Sequence, residues 1–302
     1  MYCRNNWMTF DFGNGVGNCR ARSGDFAVQF NERADRVYPL DEIAQQTARE
    51  IHSLYPNIYV AMSGGCDSEY VAKSFKAAGV PFKAIMMTCK SYFKIGEWYA
   101  DKWCKENEVE LIKFEVDPFD LLDHGKRVIG KVKGSCWFGA TVDLVAKEIE
   151  SRGGYMVHGA YPMYWPDPKM QPEKASKEFK DSFRGFMIGE AEFYIELMNP
   201  GKHPWAFFFW SPEMLASAIA DWDTSQPMEE NKWRMFNLLP RPKLNGGEGF
   251  VQNYIAKTIP AYNEIFKWTQ AHVPLQWSNR DFTPLPDKEE FLKLLLNDTN
   301  NN

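Results

Sequence analysis

The sequence predicts an α/β fold, a doubly wound parallel sheet followed by a mainly helical C-terminal extension. Three observations point to it. Apolar runs of strand length at 58–62, 82–87, 110–116 and 155–158 alternate with segments of helical period. Glycines punctuate the alternation at Gly64-Gly65, Gly79 and Gly153-Gly154. Beyond residue 160 the alternation stops. Strands separated by helices need crossover connections, and right-handed crossovers build a parallel sheet. Three parts follow: an irregular segment over 1–37, a sheet-bearing domain over 38–160, and a region over 161–302 that combines an insert or lid with helices.

Each element has a local reason. Residues 1–37 are rich in Gly, Asn and Arg and read as loop or a small antiparallel piece. Gly13-Asn14-Gly15-Val16-Gly17 has no parallel-type strand before it and no helical pattern after it, which argues against a dinucleotide turn. Leu40, Ile43, Ala44, Thr47, Ala48, Ile51 and Leu54 share one helical face, with Asp41 and Glu42 in the first turn where carboxylates suit the dipole. Tyr55-Pro56-Asn57 ends that helix. A helix after Ser68 carries Val71, Ala72, Phe75 and Ala78 at helical spacing and stops at Gly79. Ile95, Trp98, Tyr99 and Trp103 suggest the buried face of a third helix, and Phe138, Val142, Val145 and Ile149 that of a fourth. Residues 160–182 read as disordered insert or lid, and 183–198 as a hairpin. Ser211-Pro212-Glu213 is a helix start, with an N-cap serine and proline at the first helical position. Further helices are expected over 233–239, over 250–270 with a break at Pro260, and from Asp287.

Composition narrows the class. The 302 residues are 44% hydrophobic and 25% charged, ordinary for a folded globular protein with a sizeable core. A net charge of −5 gives no general case for nucleic-acid binding, though a local basic groove is compatible with it. No apolar run reaches membrane-span length, and the first 18 residues lack a signal-peptide core, so a cytoplasmic location is expected. The six cysteines form no Cys-x-x-Cys pair, which argues for reduced structural thiols rather than a zinc or dithiol site.

The stretch that carries chemistry is Ser63-Gly64-Gly65-Cys66-Asp67-Ser68, between a strand and a helix. Glycines allow the backbone to turn tightly and approach a phosphate, and the amides at the helix start favour an anion. Ser63 and Ser68 add hydroxyl donors, and Asp67 adds a carboxylate able to hold Mg²⁺. The Gly-Lys-Ser/Thr ending of a Walker loop is absent, as is a Gly-x-Ser-x-Gly elbow.

Ser-Gly-Gly-x-Asp-Ser resembles the pyrophosphate-binding loop of the PP-loop ATP pyrophosphatases (N-type ATPases), whose fold is of adenine nucleotide α-hydrolase type. The resemblance covers roughly residues 40–160. It implies ATP and Mg²⁺ as cofactors. It also implies attack on the α-phosphate, adenylation of a substrate and release of pyrophosphate. Residues 63–68 would bind the leaving group, with Asp67 both catalytic and a metal ligand. Met87 and Thr88, with Met86, would line the adenine site. Gly159 would face the α-phosphate, and His158 beside it is a candidate catalytic residue for phosphate contact or proton transfer. The family often places an acidic residue shortly after that strand. Here the nearest is Asp167, so Glu69 becomes the candidate second metal ligand.

Among branches, the closest resemblance is to the asparagine-synthetase-like ligases and amidotransferases. The helix leading into the loop is similar, and Arg241-Pro242-Lys243 before a glycine loop resembles their late basic stretch. That implies a charge-stabilising catalytic role for Lys243. Ammonia would be free or supplied by a partner, and a homo-oligomer is compatible with the chain. The alternatives are a sulfur-transfer or phosphoadenylylsulfate-reductase-like enzyme, disfavoured by the missing cysteine pairs, and a nucleotide-binding subunit without turnover. The acceptor that receives AMP is not readable from the chain.

Overall fold

The computed structural model of the chain describes residues 2–4, 7–11, 27–89, 94–128, 137–159, 161–165, 185–187, 206–240, 264 and 288–297. Its centre is a four-stranded parallel sheet. The strands are β4 (Ile58–Ala61), β5 (Lys83–Cys89), β6 (Leu111–Val116) and β7 (Tyr155–Val157), in the order β6-β5-β4-β7. Register pairs Val60 with Ala84 on one side and with Val157 on the other. From β4 the chain steps outward to β5 and β6, then returns to the far side of β4 to form β7. The order therefore reverses between β4 and β7, and a crevice opens at such a reversal above the carboxyl ends of the strands. The expected α/β class with a parallel sheet is the one observed.

Before the sheet, β1 (Tyr2–Arg4), β2 (Met8–Asp11) and β3 (Ala27–Phe30) form an antiparallel sheet. Helix α1 (Leu40–Leu54) has the bounds its apolar period predicts, and Leu40, Ile43, Ala44, Thr47, Ala48 and Ile51 are buried as expected. Leu54, assigned to the same face, is exposed. Helix α2 (Cys66–Ala77) follows β4. It ends as its glycine predicts. Gly79 has φ +69°, its N–H donates to the Lys76 carbonyl at 3.0 Å, and the Val80 N–H donates to Phe75 at 3.3 Å. Gly153 closes α5 (Trp137–Ser151) by the same pattern, with bonds to Glu150 and Ile149.

Helix α3 (Lys94–Glu106) buries Ala100, Trp103 and Cys104, whereas Trp98 faces solvent with the Lys102 ammonium 5.4 Å from its ring. A side chain two or five positions from a core residue falls off the buried stripe, and Trp98 stands in that relation to Ala100 and Trp103. In addition, a helix not anticipated, α4 (Pro118–Val128), follows β6 directly. The Asp117 carboxylate starts it by accepting the Phe119 N–H at 2.8 Å.

Past the sheet, β8 (Met163–Trp165) pairs antiparallel with β9 (Gly185–Met187). A 3₁₀ turn (Phe207–Phe209) leads to α6 (Pro212–Ala220), and α7 (Met228–Met235) follows. Ser211 caps α6, its Oγ accepting the Met214 N–H at 3.2 Å. Helix α7 begins and ends earlier than the expected 233–239 segment. The final helix, α8 (Lys288–Leu295), buries Phe291 and Leu295. Apart from Glu264, the helix expected over 250–270 lies outside the described residues. One core joins these parts. The Trp7 Nε1–H donates to the Phe209 carbonyl at 3.2 Å, Phe30 meets Phe291 edge-on at 5.7 Å, and Ala34 bridges to Leu296.

Candidate active site at the sheet reversal

The loop after β4 is shaped by two glycines and two hydroxyls. Gly64 has φ +75°, a left-handed conformation that disfavours any side chain, and a Cβ there would overlap the carbonyl of Gly96. The reverse also holds, since a Cβ on Gly96 would lie 2.5 Å from the Ser63 carbonyl oxygen. The first turn of α3 thus rests directly on the loop. The Ser68 Oγ accepts the Ser63 N–H at 3.2 Å and donates to the Gly65 carbonyl at 3.1 Å. The Ser63 Oγ accepts the Gly65 N–H at 3.2 Å and lies 3.2 Å from the Ser68 Oγ. The loop is therefore held in shape by its own serines.

Helix α2 begins inside the motif, three residues before the apolar period at Glu69 suggests. Its first ladder bond joins the Glu69 N–H to the Gly65 carbonyl at 3.2 Å. Cys66, Asp67 and Ser68 therefore form the first turn, where the helix presents its positive end. Cys66 is half-exposed and in no disulfide.

The end of β7 closes the other wall. A Cβ on Gly159 would lie 2.5 Å from the Asp67 carbonyl carbon and 2.8 Å from the Ser68 nitrogen, so only glycine allows this approach. The reversal in strand order thus brings Gly159 against the first turn of α2. His158 beside it is buried, and burial pushes its imidazole down to about 3, so the ring stays neutral at physiological pH. Its backbone carbonyl accepts the Phe207 N–H at 3.0 Å, tying the C-terminal region to the site.

Asp67 has a partner that local sequence does not reveal. The Lys232 Nζ on α7 lies 2.7 Å from Asp67 Oδ2, and the two side chains are 11% and 23% exposed. Burial pushes the Asp67 carboxyl up against the downward pull of the Lys232 ammonium. The other oxygen, Oδ1, is buried and has no hydrogen-bond partner among the described residues. Lys232 also lies over the Tyr161 ring at 5.4 Å, and the Tyr161 hydroxyl donates to the Ala218 carbonyl at 2.6 Å.

The remaining predicted residues fall in different places. Met87 is buried in β5, and the Thr88 hydroxyl donates to the Phe114 carbonyl of β6 at 3.3 Å, away from β4. Glu69 is buried and faces Cys104 on α3, whose thiol is pushed up by burial first and then by the charges of Asp101 and Glu69. Positions two apart on a helix do not face each other, and Asp67 points instead to α7. The two carboxylates are thus not brought together as a metal pair. Lys243 and Asp167 lie outside the described residues.

A magnesium ion fits what is present. Mg²⁺ binds through one or two carboxylates plus substrate phosphates and keeps several waters. The orphaned Asp67 Oδ1 could serve as one such ligand. Among the described residues no group of three or more His, Cys, Asp or Glu could hold a metal by itself, so the phosphates would have to complete the shell.

Lys232, Gly96 and Tyr161 were not anticipated from the sequence. Gly96, in the first turn of a helix, carried a faint signal of close backbone approach. Lys232 carried none, since it stands 165 residues from Asp67 in a run of charged residues.

No protein-family model matches the chain, and no curated protein matches it. Among solved structures, the chain is similar to NMN synthetase from Francisella tularensis at 11% identity, over 82% of this chain and 99% of that one, with TM-score 0.35. It is similar to U34-tRNA thiolase NcsA from Methanococcus maripaludis at 14% identity, over 77% and 79%, with TM-score 0.34. Against glutamine-dependent NAD⁺ synthetase from Acinetobacter baumannii, in complex with ADP, the identity is 16% and the TM-score 0.33. That match spans 51% of this chain and only 30% of the synthetase. Likenesses at this level carry no argument about activity.

Proposed function

We propose that this chain is a PP-loop ATP pyrophosphatase that adenylates a substrate and releases pyrophosphate, as an ATP-dependent ligase or amidotransferase of asparagine-synthetase-like type. The observation that carries the reading is the approach of Gly159 to Asp67 and Ser68 at the sheet reversal. It sets a serine-braced glycine loop and a helix N-terminus on one side of a crevice, with a bare backbone strand end on the other. Such a site suits a triphosphate: the loop and first-turn amides take the β- and γ-phosphates, and the α-phosphate lies toward the strand end at Gly159.

In the reaction, an acceptor oxygen attacks the α-phosphorus, and the bond to the bridging α–β oxygen breaks. The electron pair of that bond leaves with pyrophosphate. The loop amides, Ser63 and Ser68 stabilise the charge that grows on the leaving group. Asp67 would hold Mg²⁺, which supplies further charge neutralisation on the phosphates. Met87 and Thr88 line the adenine side at the end of β5. His158, neutral and buried, excludes water beside the α-phosphate. Lys243 is proposed to face the adenylate formed. A nucleophile then displaces AMP.

The test is ATP–[³²P]pyrophosphate exchange across a panel of carboxylic acids. Exchange dependent on one acid, lost in Asp67→Asn by about 10²-fold or more, supports the proposal. Turnover that yields ADP and phosphate contradicts it.

A further inference from the structure

The Lys232–Asp67 pair is built rather than incidental. Helix α7 is fixed to α2 by the Lys73 Nζ, which donates to the Phe236 carbonyl at 3.0 Å, and by Phe236 stacked on Tyr70 at 4.3 Å. Lys232 is itself buried, and its ammonium lies between Asp67 at 2.7 Å and the Tyr161 ring at 5.4 Å. Its aim at the loop is therefore set by packing. Asp67 nevertheless keeps one buried oxygen that no described residue satisfies. Buried polar atoms are nearly always satisfied, so an orphan beside an engaged partner marks a place for a ligand.

An ammonium already on Oδ2 and a divalent cation on Oδ1 would be like charges sharing one carboxylate in a partly desolvated site, and they repel strongly there. The anionic phosphates of a nucleotide remove that conflict by offering both cations new partners. Lysine is suited to such a move, because its ammonium is a point charge on a flexible stem. The Tyr161 ring face keeps the ammonium favourably placed as it turns.

We propose that Lys232 is a resident counter-ion of the phosphate loop: it neutralises Asp67 in the nucleotide-free protein and passes to the phosphate oxygens when nucleotide and metal arrive. Asp67 then takes a divalent cation only together with the nucleotide. This rests on the reading of residues 63–68 as an ATP site, and it adds a phosphate-binding residue from the C-terminal region together with an obligatory coupling of metal to nucleotide.

The experiment uses the full chain and Mn²⁺ as the metal probe, with bound Mn²⁺ read by electron paramagnetic resonance and no turnover required. Wild-type protein without nucleotide should bind Mn²⁺ at least tenfold more weakly than Lys232→Met, and Asp67→Asn should abolish the gain seen in Lys232→Met. Lys232→Arg, which keeps the charge and protects against a folding defect, should stay as weak as wild type. With α,β-methylene-ATP, wild type should bind Mn²⁺ and analogue together, and Lys232→Met should bind the analogue more weakly. Tight, Asp67-dependent Mn²⁺ binding by nucleotide-free wild type overturns the inference without any variant. Equal Mn²⁺ affinity in wild type and Lys232→Met also overturns it, while leaving the ATP site standing if the analogue still binds. Failure of wild type to bind the analogue with Mn²⁺ overturns both.

Discussion

At the scale of single residues, the site depends on positions where an added methyl group would act. Gly96 is one of them. Alanine is a better helix former than glycine by about 1 kcal/mol, so a purely local effect of Gly96→Ala would be stabilising. The new Cβ, however, would sit 2.5 Å from the Ser63 carbonyl oxygen, and loop or helix would have to give way. Gly96→Ala is expected to lower affinity for inorganic pyrophosphate about tenfold or more, equivalent to about 1.4 kcal/mol, and to lower the melting temperature as well, because the contact it strains is with backbone. Isothermal titration beside a thermal melt checks both. His158 carries a pH signature. Its folded value of about 3 lies below the ordinary 6.5. Between those values the unfolded chain binds a proton that the folded chain does not, so stability falls as pH drops through that window. The slope from this group approaches about 1.4 kcal/mol per pH unit. Denaturant melts between pH 7 and pH 4 should show it, and His158→Gln should flatten it. His124, buried between α4 and α5 with Asp143 at 2.7 Å, is also lowered by burial and contributes with the same sign. At this scale the motif itself was legible, because the loop residues are contiguous and each is used for its own chemistry. Lys232 was not, because its role exists only once α7 is packed on α2.

At the scale of elements, local rules held where an element's reasons are local. Ser211 and Pro212 predicted a capped helix, and the cap is present. Ser211→Ala should cost about 1 kcal/mol of stability, seen as a shifted denaturation midpoint with an unchanged m-value. Helix α1 was legible to the residue because its stripe, its first-turn carboxylates and its Tyr55-Pro56 exit agree. The failures have equally physical causes. Helix α2 starts earlier than its apolar stripe because its first turn serves the loop, not the core. Helical spacing places Trp98 on the inner face, yet a tryptophan can lie on the surface under a cation, as Trp98 does with the Lys102 ammonium. Helix α4 escaped notice because Phe119 at its start is exposed and Gly125 interrupts its pattern, leaving a short and weak period.

At the scale of the whole molecule, the sheet order turns a list of elements into a site. The return from β6 to β7 places Gly159 against α2, and the shared core carries α7 and Lys232 onto the same loop. Alternating strands and helices made the parallel sheet legible. They did not make the strand order legible, since short apolar runs do not say which neighbour each pairs with. The central claim is that residues 63–68 hold the β- and γ-phosphates of ATP while the α-phosphate lies toward Gly159. A crystal structure of the full chain with α,β-methylene-ATP and Mg²⁺ tests it most directly. The terminal two phosphates should lie on the loop amides and serines, with the adenine beyond the end of β5. A triphosphate bound elsewhere, or seated on the loop with its α-phosphate turned away from Gly159, would contradict it.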